Sequence, residues 1–370
     1  METRIKIAYI MPSMARGGAE RFLLDLLSQL DRQRFAPMVI LFKDRGPWYE
    51  ELTALHLPVF TLTKKTWLGL GNIRQIYNLL KAESPQIVHT QLGGDIRGRL
   101  AAKLAGIKII ISTEQNINRA ETWYRRWLKI ITSVWAKNIV AISTAVAADM
   151  RRRYFLPARQ CRLIIPNGLN LDNFPYQEER PRQTPLLVGA VGRLTAQKGF
   201  DLLIAAWKEI KPSGVKLLIA GDGAERNNLQ KQIDNSGLKD QIKLVGDLTV
   251  ISSFYRRLNL FIMPSRWEGL GIAALEAGAC GVPVVASDAD GLKDIVKTET
   301  GSTFPAGDIK SLGQTLTQAL AAIHSKETKL KQRRLRALIV NNFTIAAVSA
   351  AYTDLYLDLW RQTYENTPSQ

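Results

Sequence analysis

The chain has 370 residues, of which 46% are hydrophobic and 22% charged, and its formal net charge is +17. This length suits two ordinary domains, and the apolar content is that of a globular rather than a disordered chain. No apolar run approaches the roughly 18 residues that a membrane-spanning helix needs. The two cysteines, Cys161 and Cys280, offer no disulfide framework and favour a reducing compartment, which predicts a cytoplasmic protein.

The positive charge is concentrated in the first half of the chain. Residues 1–175 hold 26 Lys and Arg against 13 Asp and Glu, whereas residues 176–370 hold 24 against 20. A field of this sign attracts anions such as lipid headgroups, nucleic acids or phosphorylated substrates. Because no nucleic-acid-binding motif accompanies the charge, we do not expect a nucleic-acid partner.

Short runs rich in Ile and Val alternate with helical patterns through the first half. The first run, residues 4–11, is followed by Pro12 and by no small-residue cleavage pattern, which indicates a buried strand rather than a signal peptide. A helix is predicted over residues 19–30, where apolar side chains recur at helical spacing. Further strands are predicted at 37–42, 58–63, 86–91, 108–113, 138–143 and 161–166.

The second half repeats this alternation. Its strands are predicted at 186–192, 215–221, 241–246, 258–264 and 282–287. The runs are continuous rather than alternating, as in strands that are buried on both faces. We therefore predict an α/β protein with two doubly wound, Rossmann-like domains that face a cleft. The domains are assigned to residues 1–169 and 186–345, joined by a proline-rich linker at 170–185, with a C-terminal helix at about 346–364 that packs on the N-terminal domain.

Ligands of open α/β sheets bind at the carboxyl ends of the strands, so the loops that follow strands are the candidate binding loops. Gly17 and Gly18 follow the first strand and open a helix, where backbone N–H groups can hold an anion; the same pair can also merely make the turn. Arg193 and Lys198 follow the strand at 186–192, an arrangement that suits a diphosphate.

Gly221, in another glycine turn into a helix, either shapes the binding region or only turns the chain.

Two glutamates lie eight residues apart, Glu268 before a Gly-Leu-Gly turn and Glu276 on a predicted helix. On one continuous helix they would be about 12 Å apart, too far for a single acid–base pair. Separate roles on one extended ligand fit better, with Glu268 at one end, Glu276 at the other, and the N–H groups of Gly269, Leu270 and Gly271 between them. A sugar–diphosphate–ribose string has this form. The alternative is a buried helix with one solvated and one paired glutamate.

The segment SRWEGLGIAALEAGACGVPVVASDADGLKDIV (265–296) resembles the signature of the retaining glycosyltransferases of family 4, which have the GT-B fold. Three further motifs occur in the order of that family, GGAE (17–20), IPNGL (165–169) and GRLTAQKG (192–199). Residues 87–106 also resemble the N-terminal domain of the family. The resemblance covers nearly the whole chain.

This resemblance implies a hexosyltransferase that moves a sugar from a nucleotide-diphosphate sugar, expected to be a UDP-sugar, to an envelope glycan or lipid-linked saccharide. Arg193 and Lys198 would bind the diphosphate and stabilise the leaving group, Glu268 would hold the transferred sugar, and Glu276 the ribose. The remaining donor-binding candidates are Gly17, Gly18, Asn167, Gly221, Gly269, Leu270 and Gly271. No cofactor or metal is expected, because relatives generally work without a bound metal and no His/Asp/Glu cluster in the sequence is typical of a metal site.

Many relatives have histidine where this chain has Gln91 and Gln115. Gln115 and His89 are the candidates for the acceptor or sugar side, and we expect Gln115 to position a ligand, because glutamine cannot carry a proton. The two exchanges keep open a catalytically degenerate relative that binds nucleotide and acts as a binding partner. A nucleotide-sugar epimerase on the same fold is a further alternative, although the N-terminal half shows no carboxylate-rich sugar pocket.

Residues 119–137 are predicted to form an amphipathic helix. Its apolar face carries Trp123, Trp127, Ile130, Ile131 and Val134, and its basic face carries Arg125, Arg126 and Lys129. Two interpretations are open: a helix packed on the sheet with a solvated basic face, or an interfacial helix in contact with an anionic membrane. The second predicts a protein that is peripheral on the inner face of the cell membrane.

Overall fold

The computed structural model describes residues 4–62, 70–117, 119, 121–157, 160–180 and 183–365. The chain divides into two compact units, one formed by residues 1–168 with 345–370 and the other by residues 169–344. The proline-rich segment predicted as a linker is part of the second unit. There Gln177 donates its backbone N–H to Cys280 O at 3.2 Å, and Arg180 Nε donates to Gly281 O at 3.1 Å.

The first unit is built on a six-stranded parallel sheet in the order β3-β2-β1-β4-β5-β6. Its strands are β1 (Ile5–Met11), β2 (Phe35–Leu41), β3 (Val59–Thr61), β4 (Ile87–Gln91), β5 (Ile109–Glu114) and β6 (Asn138–Ala141). Its helices up to this point are α1 (Gly18–Gln29), α2 (Tyr49–Thr53), α3 (Leu70–Glu83), α4 (Asp95–Leu104), α5 (Trp123–Ser133) and α6 (Thr144–Tyr154). The predicted strand at 161–166 is wrong, since this segment forms only an isolated bridge between Ala141 and Ile164.

The second unit contains another six-stranded parallel sheet, in the order β12-β11-β10-β7-β8-β9. Its strands are β7 (Leu186–Val191), β8 (Val215–Ala220), β9 (Ile242–Gly246), β10 (Leu260–Met263), β11 (Val284–Ser287) and β12 (Ser302–Phe304). Its helices are α7 (Phe200–Ile210), α8 (Arg226–Asn235), α9 (Ile251–Arg257), α10 (Ile272–Ala279), α11 (Ile309–Ala321) and α12 (Lys326–Asn342). β12 was not predicted because it is a three-residue edge strand in a mostly polar segment.

Burial on both faces explains why the strands are continuous apolar runs. In β1 every residue except Lys6 is buried, and in β10 all four residues are. The covering helices contribute one apolar stripe each, as α7 does with Phe200, Leu203, Ile204 and Trp207. These stripes and strands make the cores of the two units.

The last helix, α13 (Ile345–Tyr364), packs on the first sheet. Its Tyr356 hydroxyl lies 3.1 Å from the hydroxyl of Tyr9 on β1 and 2.7 Å from Nδ1 of His89 on β4. Tyr352, one turn earlier, lies 3.0 Å from the hydroxyl of Thr113 on β5. The end of the chain therefore completes the core of the first unit. Among the described residues, no helix combines the length and hydrophobicity needed to cross a bilayer.

Both sheets reverse their strand order beside their first strand, between β1 and β4 and between β7 and β10. Connections leave such a point in opposite directions, and this opens a crevice at the carboxyl edge of the sheet. The candidate loops lie at these points: 12–17 follows β1, 192–199 follows β7, and 264–271 follows β10. The topology therefore gathers residues that are far apart in the sequence.

Candidate active site

Loops 192–199 and 264–271 of the second unit are tied to each other. Arg266 donates two hydrogen bonds to the carboxylate of Asp201, at 2.7 and 2.6 Å, and another to Ala196 O at 2.8 Å. Gln197 accepts the backbone N–H of Arg266 at 2.8 Å and donates to Trp267 O at 3.1 Å. Burial alone would raise the pKa of Asp201, but the hydrogen bonds and charge of Arg266 outweigh it and lower that pKa. The charged pair holds the two loops in one arrangement.

Two glycines in these loops are closely packed against neighbouring residues. Gly199 precedes α7 with φ of 66°, and a Cβ there would collide with Pro264 O in the neighbouring loop. Gly271 precedes α10 with φ of 95°, and a Cβ there would collide with the Leu292 side chain. Residues with side chains adopt such backbone angles at a cost, so both positions favour glycine.

Lys198 and Glu268 form an ion pair in the structure. The sequence analysis assigned Lys198 to the diphosphate and Glu268 to the transferred sugar. The Nζ atom of Lys198 lies 2.7 Å from Oε2 of Glu268, and the Ser265 hydroxyl donates to the same oxygen at 3.1 Å. The side chains are only 17% and 10% exposed. The ammonium group is therefore held in place before any ligand arrives.

Arg193 is the exposed cation of the same loop. Within the described part of the chain, its guanidinium has no hydrogen-bond or ion-pair partner. The nearby helix α10 begins at Ile272, just after Leu270 and Gly271, and the first N–H groups of a helix have no intrahelical acceptor. Two cations and a helix N-terminus on joined loops can bind a diphosphate.

Glu276 lies on the second turn of α10, and its Oε2 accepts a hydrogen bond from the Tyr255 hydroxyl at 2.7 Å. Burial, and then the charge of Glu276, raise the pKa of Tyr255, so this phenol remains a donor. The sequence analysis missed Tyr255, because it is on α9 and only the packing of α9 against α10 brings it to the glutamate.

Gly221 follows β8 with φ of 126° and donates its N–H to Gly246 O at 2.8 Å. Arg226, the first residue of α8, lies beside this turn, and its Nη1 is buried without a hydrogen-bond partner in the described residues. This arginine was also missed. Its position after the GDGAE turn, at the carboxyl end of a strand, is the signal that could have found it.

In the first unit, the glycine pair lies where it was predicted, at the start of a helix. Gly18 is the first residue of α1, and Gly17 precedes it in extended conformation. A Cβ on Gly17 would collide with the carboxylate of Glu20. The side chain of Glu20 therefore lies over this turn.

A cluster of amide side chains lies at the carboxyl edge of the first sheet. Asn167 Nδ2 donates to Gln115 Oε1 at 2.8 Å, so Asn167 belongs with Gln115 in the first unit. In the described residues, Gln115 Nε2, Asn167 Oδ1 and both amide atoms of Gln91 are buried without hydrogen-bond partners. Sugar hydroxyl groups, which donate and accept, suit such amides.

His89 is placed differently from the expectation that it faces an acceptor. It is fully buried, and its two ring nitrogens lie 2.7 Å from Tyr356 Oη and 2.8 Å from Thr113 Oγ1. Burial lowers its pKa to about 3. With both nitrogens engaged, His89 joins α13 to the sheet and offers none to an acceptor.

Helix α5 turns its apolar face to solvent and its polar face to the protein. Trp123, Trp127 and Ile131 are 74%, 57% and 54% exposed, whereas Lys129 is 8% exposed. The interpretation as a core helix with a solvated basic face is therefore wrong. Ala120, within the predicted range 119–137, lies outside the described residues.

No group of three or more His, Cys, Asp or Glu side chains is placed to hold a metal ion in the part of the chain that the structure describes.

Two family models match consecutive parts of the chain, Glycosyltransferase Family 4 over residues 16–173 and Glycosyl transferases group 1 over residues 175–334. With the doubly wound pair of sheets, these matches define a glycosyltransferase of the GT-B fold, and the chain belongs to this family of enzymes.

Among its relatives, the lipopolysaccharide core biosynthesis mannosyltransferase LpsB of Rhizobium meliloti (strain 1021) is 34% identical over 248 residues, 61% of this chain and 69% of that protein. The UDP-Gal:alpha-D-GlcNAc-diphosphoundecaprenol alpha-1,3-galactosyltransferase of Escherichia coli is 25% identical over 383 residues, 96% of this chain and 98% of that protein. The solved structure of Anabaena HepE with UDP and glucose matches with a TM-score of 0.85 at 21% identity, covering 96% of this chain and 100% of that one.

Proposed function

We propose that this glycosyltransferase moves a sugar from a UDP-sugar to a lipid-linked or other envelope saccharide, with retention of the anomeric configuration. The observation that carries the proposal is the pair of joined loops in the second unit: one contains Arg193 and Lys198, and the other contains Glu268 and leads into α10. The name of the Escherichia coli relative supports the choice of donor and acceptor, since it states a UDP-sugar and a lipid diphosphate. The UDP in the Anabaena structure supports the same nucleotide.

The charges suit departure of a diphosphate. As the bond to the sugar breaks, negative charge grows on the phosphate oxygens, and fixed positive groups stabilise the transition state more than the ground state. Arg193 supplies a guanidinium, and Lys198 supplies an ammonium that Glu268 already orients. In this proposal these cations do the work, and no resident metal is needed.

The two glutamates act at opposite ends of the donor. Glu268 accepts hydrogen bonds from hydroxyl groups of the transferred sugar and also keeps Lys198 in position, because a carboxylate can accept several hydrogen bonds. Glu276, which is oriented by the hydrogen bond from Tyr255, accepts hydrogen bonds from the ribose hydroxyl groups. In the first unit, the amides of Gln115 and Asn167 bind neutral hydroxyl groups of sugar or acceptor.

The proposal also places the enzyme on the cytoplasmic face of the membrane that carries a lipid-linked acceptor, as a peripheral protein.

The test is calorimetric binding of UDP, GDP and ADP in the presence of a metal chelator. We expect UDP to bind, to lose its binding in Glu276→Ala, and to keep it in Glu209→Ala, an exposed glutamate on α7 that serves as the matched control. A preference for GDP or ADP would refute the UDP assignment. Absence of nucleotide binding by the folded chain would refute the donor site, and nucleotide binding without sugar transfer would favour the degenerate binding partner.

A transfer assay then tests the chemistry. UDP-galactose and UDP-glucose are offered with a polyprenyl-diphosphate-linked saccharide, and the anomeric configuration of the product is read by NMR. An α-linked product from these α-configured donors supports retention, and a β-linked product contradicts it.

A further inference from the structure

Helix α5 presents an extended apolar face to solvent. This face, called the α5 apolar face below, consists of Trp123, Tyr124, Trp127, Leu128, Ile131 and Val134, which are 44–74% exposed. It accounts for six of the thirteen large hydrophobic side chains exposed among the described residues. Single exposed hydrophobic residues are common on protein surfaces, but a contiguous patch marks an interaction site.

The face points outward because the opposite side of α5 is tied down by charge. Lys129 Nζ lies 2.9 Å from Glu114, 3.4 Å from Asp95 and 3.4 Å from Glu121. All four side chains are at most 12% exposed. The buried side of this helix is therefore polar and its exposed side is apolar, which reverses the usual arrangement of a surface helix.

Two hydroxyl side chains complete the polar side. Thr132 and Ser133 are buried and donate to carbonyl oxygens of their own helix, at 2.8 Å to Leu128 O and 2.6 Å to Ile130 O. Their polar atoms are satisfied locally, so the inward side of α5 needs no apolar groups.

The charge around the α5 apolar face is of one sign. From Asp95 to Tyr154 the sequence holds four acidic residues; three of them surround Lys129, and the fourth, Asp149, pairs with Arg153 at 2.8 Å and with Arg152 at 3.5 Å. In contrast, the nearby basic side chains are exposed: Lys103, Arg125, Lys137, Arg151 and Arg152. These five residues are called the basic rim below. Since these acids are largely buried and pair with basic side chains, the exposed charge of the rim is positive.

Phe155 lies beside the same surface. It ends α6 with φ of 52° and is 73% exposed, and Arg126 of α5 lies 5.8 Å from the centre of its ring. An exposed aromatic residue in the left-handed region is uncommon and gains nothing in water. Its position extends the apolar surface from α5 to α6.

We propose that the α5 apolar face and its basic rim dock on an anionic phospholipid bilayer. A helix of 11 residues is about 16 Å long, and in this orientation it can lie in the interface with its aromatic and aliphatic side chains among the lipid headgroups and upper acyl chains. The rim adds electrostatic attraction to anionic headgroups. A protein partner would offer the same attraction only if it carried an acidic patch around an apolar centre. The docking itself does not depend on the proposed function. Only its purpose, the approach to a lipid-linked acceptor, rests on that function.

The position of α5 in the chain suits that purpose. Lys129 of α5 pairs with Glu114, the last residue of β5, and Gln115 follows directly at the carboxyl edge of the sheet. This ion pair holds α5 beside the sheet edge that carries the amide cluster of Gln91, Gln115 and Asn167. A bilayer at this face would bring a lipid-linked saccharide near that edge.

The test is flotation of the full chain with vesicles of phosphatidylcholine alone, and of equal parts phosphatidylcholine and phosphatidylglycerol, over a range of salt. We expect flotation only with the anionic vesicles, decreasing as salt screens the rim. The double variant Trp127→Ser/Ile131→Ser should reduce the bound fraction at least about tenfold. Its matched control, Val250→Ser/Val340→Ser, removes exposed apolar groups from the second unit and should float like the natural chain.

The charge contribution is tested in the same way. Arg125→Glu/Arg151→Glu should weaken flotation, whereas Lys216→Glu/Lys243→Glu, with the same change in net charge on exposed residues of the second unit, should not. Equal loss in both pairs would overturn the assignment to the basic rim.

Three results would overturn the proposal: no flotation of the natural chain, equal loss in the control variants, or a dimer in sedimentation that the Trp127→Ser/Ile131→Ser change dissociates. Circular dichroism and UDP binding of each variant show whether it is folded. Lost flotation with retained UDP binding supports a docking surface separate from the donor site. Flotation without UDP binding would overturn the proposed function and leave the docking intact.

Discussion

Replacing Lys129 by methionine removes the ammonium group that three buried carboxylates share, while it keeps an unbranched side chain of similar length. In the natural chain Asp95, Glu114 and Glu121 all lie within 3.4 Å of Lys129 Nζ. Removal of one partner from a buried ion pair costs about 3–5 kcal/mol, because the remaining charge stays desolvated. The cluster is at most 12% exposed, so solvent screening does not reduce this figure much. We expect the first unit to lose about 3–5 kcal/mol of its free energy of unfolding at pH 7.

The loss should depend on pH in one direction. Burial raises the pKa of Asp95, and the charge of Lys129 opposes that rise. Without Lys129 the folded-state pKa rises further above that of the unfolded chain, so the folded variant takes up a proton more readily. A carboxyl with a raised folded pKa destabilises the fold when it is ionised and ceases to do so as pH falls. The difference between variant and natural chain should therefore shrink from pH 7 to pH 5.

Urea unfolding followed by circular dichroism at both pH values measures the effect. Lys137→Met, which removes an exposed lysine just before β6, is the matched control and should change stability by less than about 0.5 kcal/mol. A loss below about 1 kcal/mol in Lys129→Met, or one that does not shrink at pH 5, would refute the view that Lys129 neutralises buried acids.

Four further changes test the site and the core. Gly271→Val, at φ of 95°, should cost about 1–3 kcal/mol of stability in thermal unfolding and abolish UDP binding; unchanged binding would show that the loop tolerates a side chain. Tyr255→Phe removes the hydrogen bond that orients Glu276 and should weaken UDP binding about 5- to 10-fold by calorimetry, whereas an effect below twofold would mean that Glu276 needs no support. Arg193→Ala should lower kcat by about 10²–10³ with unchanged circular dichroism, and a change in KM alone would assign it to ground-state binding. His89 has a folded pKa of about 3, so below its unfolded value of about 6.5 stability should fall by about 1.4 kcal/mol per pH unit in urea titrations; His89→Gln should flatten this slope, and an identical slope would place its origin elsewhere.

The GT-B fold and the loops around it were accessible from the sequence because both depend on local patterns. Strands buried on both faces of a parallel sheet are continuous apolar runs. Twelve runs were predicted, and all but 58–63 and 161–166 needed only small changes at their ends. Gly199 and Gly271 mark turns whose backbone geometry favours glycine, so these loops were recognisable as well. The sheet order then put these loops at the reversal point between β7 and β10.

The partners of the site residues were not accessible in this way. The Lys198–Glu268 pair joins residues 70 positions apart, and Tyr255 reaches Glu276 from another helix. His89 was a candidate because it lies near the end of a predicted strand. In the structure, α13 returns from the end of the chain, and the hydroxyl of its Tyr356 lies 2.7 Å from Nδ1 of His89. Such contacts depend on which elements pack together, which no local pattern contains.

Helix α5 separates the two kinds of information most clearly. The sequence by itself determined that residues around 123–134 form an amphipathic helix, because the periodicity of apolar side chains is a local property. Only the tertiary structure decided which face turns inward, because the acids that hold Lys129 come from α4, β5 and the loop before α5. A buried charge is stable only where it lies beside opposite charges. In α5 the pairing of Lys129 with three acids outweighs the gain from burying two tryptophans.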